Sequence, residues 1–260
     1  MAISYLFVFI FGLIVGSFLN CVIYRLEVGK SFLKGRSFCP DCKHDLSWLD
    51  LIPVFSYIFL SGKCRYCDKK ISIQYPLVEI STGLVFLLIF QSLLSTASSY
   101  FLFSVLYFLT AASLLIIIFV FDLKHFIIPD RVLFPLTGIA LIYSLISNLQ
   151  SLNGLINIFV SAFSAGAFFL AIYLVSRGKW LGFGDVKLAF FMGLLLGFPD
   201  IIVALYSAFT IGAIIGVGLI LAKRKNMKSE IPFGPFLIIG TMIAFFWGNQ
   251  IINWYFNLFS

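Results

Sequence analysis

The sequence predicts an all-α polytopic membrane protein of about eight transmembrane helices with one small cytosolic insertion. Three observations lead there. Of 260 residues, 61% are hydrophobic and 11% charged, with a mean hydropathy of +1.07, whereas a soluble domain carries roughly 25% charged residues. Stretches near the ~20 apolar residues that cross a bilayer recur along the chain. All 18 Lys and Arg residues fall into a few connections that regularly alternating spans place on one face. A soluble enzyme, a disordered chain and a secreted disulfide scaffold are excluded together.

The spans are read at 2–24, 76–94, 101–121, 132–148, 154–175, 187–197, 201–221 and 233–256. Phe and β-branched residues dominate them without a period of two, which argues against a β-barrel. The first span lacks a basic N-terminal region, keeps Asn20 and shows no convincing small-residue cleavage site, so it is read as a retained helix and not a signal peptide. The stretch 187–197 is short and carries Gly193 and Gly197, which suits a tilted or partly embedded helix. Nine basic residues lie between 25 and 75, and the others are Lys124, Arg131, Arg177, Lys179, Lys187, Lys223, Arg224, Lys225 and Lys228. The connections around 95–100, 149–153 and 198–200 and both termini contain none. With eight spans, every basic segment faces the cytoplasm by the positive-inside rule, and both termini lie outside. The net charge of +7 is accounted for by this topology and by contact with anionic lipid headgroups, without a nucleic acid partner. The chain divides into a first helix (1–24), a cytosolic module (25–75), a second and third helix (76–121) and a larger membrane domain (122–260).

The module contains Cys39-Pro-Asp-Cys42 and Cys64-Arg-Tyr-Cys67, two CxxC turns separated by 21 residues. A two-residue gap lets both sulfurs of one turn reach the same ion, and tetrahedral thiolate coordination suits zinc. Structural zinc bound by Cys39, Cys42, Cys64 and Cys67 is therefore expected. Disulfides or a redox pair compete with this reading, but a reducing cytosol disfavours the first and no βαβ unit supports the second. His44 reads as a solvated loop residue, and Cys21 as a small side chain buried in the first helix.

Acidic residues in or beside membrane spans are costly and informative. Asp200 and Glu230 are expected in solvated connections. Asp130 follows Pro129 and reads as a helix N-cap in preference to a catalytic carboxylate. Glu79 sits early in the second helix, where it caps, meets the positive helix end or lines a polar site. Asp122 ends the third span and Asp185 ends the turn Gly182-Phe183-Gly184-Asp185. Two readings of this last pair stay open. Facing carboxylates that share one proton would form an aspartic protease dyad, with glycines 182 and 184 clearing space for a substrate backbone. Alternatively, Asp185 caps a helix and Asp122 pairs with Lys124 or Arg131.

Several motifs occur in a specific order. Gly16-Ser17-Phe18-Leu19-Asn20 leads to Ile23-Tyr24-Arg25-Leu26. Next come Arg36-Ser37 with the first CxxC, Trp48, Asp50-Leu51-Ile52-Pro53, Gly62-Lys63-Cys64-Arg65 and Tyr75-Pro76-Leu77-Val78-Glu79. Asp122 with Ile128-Pro129-Asp130, Gly182-Phe183-Gly184-Asp185-Val186-Lys187 and Ile231-Pro232-Phe233-Gly234-Pro235-Phe236 complete the series. Along nearly its whole length the chain resembles the bacterial type IV prepilin peptidases, bifunctional leader peptidase/N-methyltransferases with a membrane GxGD aspartic protease. Cys21 and His125 stand outside the resembling motifs.

The resemblance implies that Asp122 and Asp185 are catalytic, with Gly182, Gly184 and Lys187 supporting them and no metal at the protease site. It implies zinc on the four cysteines, and assigns 122–260 to the peptidase. It also implies prepilin or pseudopilin substrates cut after glycine, behind a short basic leader, at the cytoplasmic face of a bacterial plasma membrane. The new N-terminal residue would then be methylated from S-adenosylmethionine, and Gly62, Lys63 and Glu79 are associated with that step by their position in and beside the one polar module. No Gly-rich S-adenosylmethionine fingerprint is visible, so the methyltransferase comes from the resemblance alone. A transporter with a zinc-stabilised cytosolic domain is the competing class, but transporters place ionisable groups near the midplane on broken helices, whereas these aspartates map to the boundary. A non-enzymatic assembly factor would have no need of a carboxylate pair.

Overall fold

The computed structural model describes residues 2–31, 35–94, 101–148, 151–222 and 231–258. The basic segment 223–228, Glu230 and the expected connections at 95–100 and 149–150 lie outside the described residues. Those described form α-helices joined by short turns: α1 (Ala2–Glu27), α2 (Phe55–Phe59), α3 (Gln74–Leu94), α4 (Phe101–His125), α5 (Asp130–Ser147), α6 (Leu152–Ser176), α7 (Phe183–Leu196), α8 (Asp200–Leu221) and α9 (Gly234–Asn257). Seven of these, α1, α3, α4, α5, α6, α8 and α9, are long and apolar enough to cross a membrane. The protein is a multi-pass membrane protein. The eighth expected segment is α7, whose 14 residues extend about 21 Å at 1.5 Å per residue, short of the ~30 Å hydrocarbon layer.

Two compact units divide the chain, 1–117 and 118–260. In the first, α1 and α3 run antiparallel and touch along their backbones. A methyl added at Gly12 would meet Gly83 Cα at 2.7 Å, and one at Gly16 would meet Glu79 Cα at 2.6 Å. Small residues let membrane helices approach this closely, because lipid supplies no hydrophobic drive and packing must do so instead. Asn20 is buried there and satisfied: its Nδ2 donates to the Tyr75 carbonyl at 3.0 Å. Gly16→Leu is expected to force the pair apart and to cost about 1–3 kcal/mol. Thermal unfolding in detergent would show this as a lowered midpoint, and an unchanged midpoint would show that the backbone contact contributes little.

Among its described residues the polar module between α1 and α3 has no extended sheet. Two isolated bridges, Phe38 with Asp45 and Lys63 with Lys70, close two similar turns around the CxxC pairs. In each, the first Cys amide donates across the turn, Cys39 to His44 at 2.9 Å and Cys64 to Lys69 at 2.8 Å. Lys43 and Asp68, each just after the second Cys, take positive φ (62° and 56°), which bends the chain back.

The second unit is built around α7. Asp185, Val186, Leu188, Ala189, Phe191, Met192, Gly193 and Leu194 of α7 are all buried, so most of this helix is enclosed by its neighbours. A methyl at Gly193 would overlap the backbone of Ala162 in α6, so α6 and α7 pack at close range. Phe169, Phe209, Phe233 and Phe236 form a ring cluster joining α6, α8 and the start of α9. Asp200 departs from expectation. It opens α8 with Oδ1 buried against Gly248, without a hydrogen-bond partner among the described residues.

Candidate active site and metal centre

Asp122 lies in the last turn of α4. Phe126 takes φ +58° and its amide closes onto the Asp122 carbonyl at 2.9 Å, so this left-handed residue ends the helix. Ile127, Ile128 and Pro129 then leave helical geometry, and α5 begins at Asp130. Asp185 sits in the first turn of α7, where its Oδ2 accepts the Gly182 amide at 3.0 Å. That bond satisfies an orphan N–H of the helix start and draws the helix back to Phe183, four positions before the expected 187. Asp185 is thus the third helical residue and Gly182 holds the N-cap position.

Ile128 brings the two aspartates into one niche. A methyl at Gly184 would lie 2.9 Å from Ile128 Cβ, and one at Gly234 would lie 3.3 Å from Ile128 Cδ1 and 2.6 Å from Asp122 Oδ2. Ile128 is therefore gripped between the first turns of α7 and α9, at positions where only glycine leaves room. The Gly234 amide faces the Asp122 carboxylate, and the Asp122 charge acts directly on Asp185. Asp122 is 4% and Asp185 7% exposed. Among the described residues no ion pair joins Asp122 to Lys124 or Arg131. Each carboxylate borders a helix N-terminus, whose partial positive charge favours an anion. Two buried carboxylates in mutual electrostatic reach can share one proton, so that one takes a proton from water while the other donates a hydrogen bond.

Gly234 and Ile128 carry no role in the sequence reading, although both stand inside motifs singled out there. The Gly-Pro at a helix start was the available signal. The Lys187 Nζ pairs with Asp130 at 2.6 Å and lies 5.1 Å from the ring centres of Phe134 and Phe183. Asp130 is accordingly not an N-cap. Pro129 holds that position, and the Asp130 side chain reaches across to α7 instead. Lys187 also lines an open, almost wholly apolar groove of about 440 Å³ with Phe134, Phe163, Leu170 and Phe190. His125 packs against Phe121 with ring centres 4.5 Å apart and ring planes tilted by 42°.

In the module the sulfurs of Cys39, Cys42, Cys64 and Cys67 all lie within 4.8 Å of one another, and Cys39 and Cys67 are 3.9 Å apart. Metal–sulfur bonds of ~2.3 Å in a tetrahedron require sulfurs ~3.8 Å apart, so the cluster could hold a zinc ion. Burial pushes the Cys39 thiol up, but hydrogen bonds from the Cys42 and Asp41 amides outweigh it and leave it below its ordinary value. The Lys69 amide draws Cys67 down, yet burial and the three neighbouring sulfurs push it up to about 12. Asp50 is the hub of the same region. It accepts from the Ser47 amide at 3.0 Å, the Ser47 hydroxyl at 2.8 Å, Arg65 Nε at 2.8 Å and the Tyr66 hydroxyl at 3.2 Å. Desolvation opposes its ionisation, but these donors hold it below the usual carboxylate range.

Gly62, Lys63 and Glu79 are not joined by the hydrogen bonds described. Gly62 takes φ +69°, and a methyl there would lie 3.1 Å from the Tyr57 ring. Lys63 is exposed at the base of the second knuckle. Glu79 is buried and accepts the Val54 amide at 2.7 Å and the Ser17 hydroxyl.

The model of the bacterial peptidase A24 N-terminal domain matches residues 10–93, and that of the type IV leader peptidase family matches residues 109–217. A prepilin leader peptidase/N-methyltransferase of Aeromonas hydrophila is 31% identical, over 97% of this chain and 93% of that protein. Proteins of the same name from Bacillus subtilis (34% identical, 96% of this chain and 97% of that protein) and Legionella pneumophila (34%, 96% and 94%) are also similar. No solved structure matches the chain.

Proposed function

Because the chain belongs to the type IV leader peptidase family, we propose that it removes the short basic leader from prepilin or pseudopilin precursors and N-methylates the residue exposed by the cut. The observation that carries the peptidase half is the niche in which Asp122 and Asp185 close around Ile128, Gly184 and Gly234. The ionised carboxylate takes a proton from water, which attacks the carbonyl carbon of the leader's last glycine. The protonated partner polarises that carbonyl oxygen, and the amine leaves with a proton. This reading needs no metal at the carboxylates. Gly182 keeps a side chain away from where a substrate backbone must approach, while Gly184 and Gly234 leave the room that Ile128 and the Asp122 carboxylate fill.

The zinc-sized cluster of four sulfurs supports a structural zinc ion in 25–75. Methyl transfer from S-adenosylmethionine rests on the names of the relatives. The described module shows no glycine-rich turn opening onto a long helix to receive that donor, so its binding residues are left unassigned beyond the association of Gly62, Lys63 and Glu79. With α7 counted as a short eighth crossing, all the basic residues fall on one side, which supports carboxylates on the cytoplasmic side, and the family supports a bacterial plasma membrane. A transporter is not favoured, since both aspartates stand at helix ends.

The test is purified protein with a synthetic prepilin and S-adenosylmethionine, with product masses read for leader loss and for one methyl increment. An intact precursor would refute the peptidase. Cleavage without a methyl increment would refute the second activity alone. In the same assay Gly234→Ala is expected to lower cleavage by about 10-fold or more, because the new methyl displaces the Asp122 carboxylate from its place. Wild-type cleavage by this variant would show that the α9 start does not position Asp122.

A further inference from the structure

The turn between the second half of the module and α1–α3 is built inside out. Val54 takes φ +62° and ψ −49°, and the Phe55 amide donates to the Pro53 carbonyl at 2.6 Å. This is a γ-turn of the rare, strained hand, at a β-branched residue where positive φ is an outlier. Such strain persists only where surrounding contacts hold it. The holder is Glu79, whose carboxylate takes the Val54 amide at 2.7 Å.

That bond sets a depth. α3 begins at Gln74 and has 21 residues, about 31 Å at 1.5 Å per residue, which barely matches the ~30 Å hydrocarbon layer. Glu79 is five positions along it, some 7.5 Å from its start. The Val54 turn is therefore tied to α3 below the level at which the helix enters the bilayer.

The side chains around this turn fit that level. In α2, Phe55, Ile58 and Phe59 occupy i, i+3 and i+4, one helical face, and all three point outward at 57%, 63% and 83% exposure. Trp48 and Leu51 of the preceding 3-10 turn (Trp48–Leu51) are exposed as well. Tyr57, on the other side of α2, is turned inward against Gly62. A water-facing helix would show the opposite pattern. A contiguous apolar patch carrying a Trp marks an interaction surface, and Trp is the residue enriched at the bilayer interface. The flanking module carries nine basic against five acidic residues between 25 and 75, which complements anionic headgroups.

From depth, outward apolar face and charge, we propose that Trp48, Leu51, Phe55, Ile58 and Phe59 form a membrane-embedded foot, seated in the headgroup and upper acyl region of the bilayer. The foot carries the metal cluster with it. Arg65 and Tyr66, between the cysteines of the second knuckle, bond to Asp50 on the same turn as Trp48. The module is thereby held flat against the lipid surface and does not project freely into water.

The experiment uses the full chain with Trp180, Trp247 and Trp254 replaced by Phe, so that Trp48 is the single emitter, in vesicles of phosphatidylcholine and phosphatidylglycerol. Trp48 is expected to emit to the blue of a water-exposed indole, to be strongly quenched by phospholipid brominated high on its acyl chains, and to resist aqueous acrylamide. Phe59→Ser and Ile58→Ser together are expected to remove most of the brominated-lipid quenching while the metal content stays at the parent level. Free access of acrylamide to Trp48 would overturn the proposal and put the module in water. Shielding from both quenchers would also overturn it, because the patch would then be covered by protein, either a second copy or another part of this chain.

Discussion

Asp122→Asn and Asp185→Asn are each expected to abolish leader cleavage, with losses on the order of 10³-fold or more, as when one member of a catalytic unit is removed. The substitution is nearly isosteric. An Asn side-chain oxygen at 185 can still accept the Gly182 amide now held at 3.0 Å, and one at 122 can still face the Gly234 amide, so the helix starts survive. What disappears is a carboxylate able to exchange a proton with water. Asp130→Asn is the control. Its side chain is 51% exposed and pairs with Lys187, and an ion pair of that exposure contributes ~0–1 kcal/mol, so cleavage should stay within about fivefold of the parent. Rates on a synthetic prepilin, with thermal unfolding to confirm folding, check all three. Normal cleavage by either of the first two variants would remove the dyad assignment.

Replacing Cys64 and Cys67 together by Ser is expected to abolish zinc binding that otherwise reaches about one ion per chain. Structural zinc sites contribute on the order of 10 kcal/mol to the folding of small domains. The described residues of the module include no sheet or long helix to compensate, so 25–75 should lose its fold while the backbone contacts of α1 with α3 remain. Acid is expected to act in the same direction. In the metal-free cluster the Cys67 thiol is pushed up to about 12, so at neutral pH it carries a proton that the metal must displace. Lowering the pH favours that proton, and zinc affinity should fall as pH falls. Metal analysis of the purified protein across pH, with proteolysis of the module as a second readout, measures both effects. Full zinc loading without the second CxxC would place the ion elsewhere.

The sequence by itself determined those features whose physics is local. Apolar length partitions a long span into lipid whatever its neighbours are, and seven of the eight expected spans appear as helices long enough to cross a membrane, the eighth being the 14-residue α7. A two-residue gap between cysteines sets the geometry of one metal-binding turn, and two such turns needed only to meet. The boundary of α7 was legible in part. Gly182 to Asp185 reads as a turn because of its glycines, yet the bond from the Gly182 amide to Asp185 makes it the opening of the helix. Contacts between distant positions were decided only by the tertiary structure. Asp130 met Lys187 across 57 positions, which neither residue's neighbours announce, and this took Asp130 out of its expected cap. Glu79 reached the Val54 amide across 25 positions, a contact that neither residue's neighbours announce. Ile128 and Gly234 likewise became parts of the carboxylate niche. Their roles are steric fit against residues elsewhere in the chain, and steric fit leaves no periodicity, charge or spacing to read until the helices are packed.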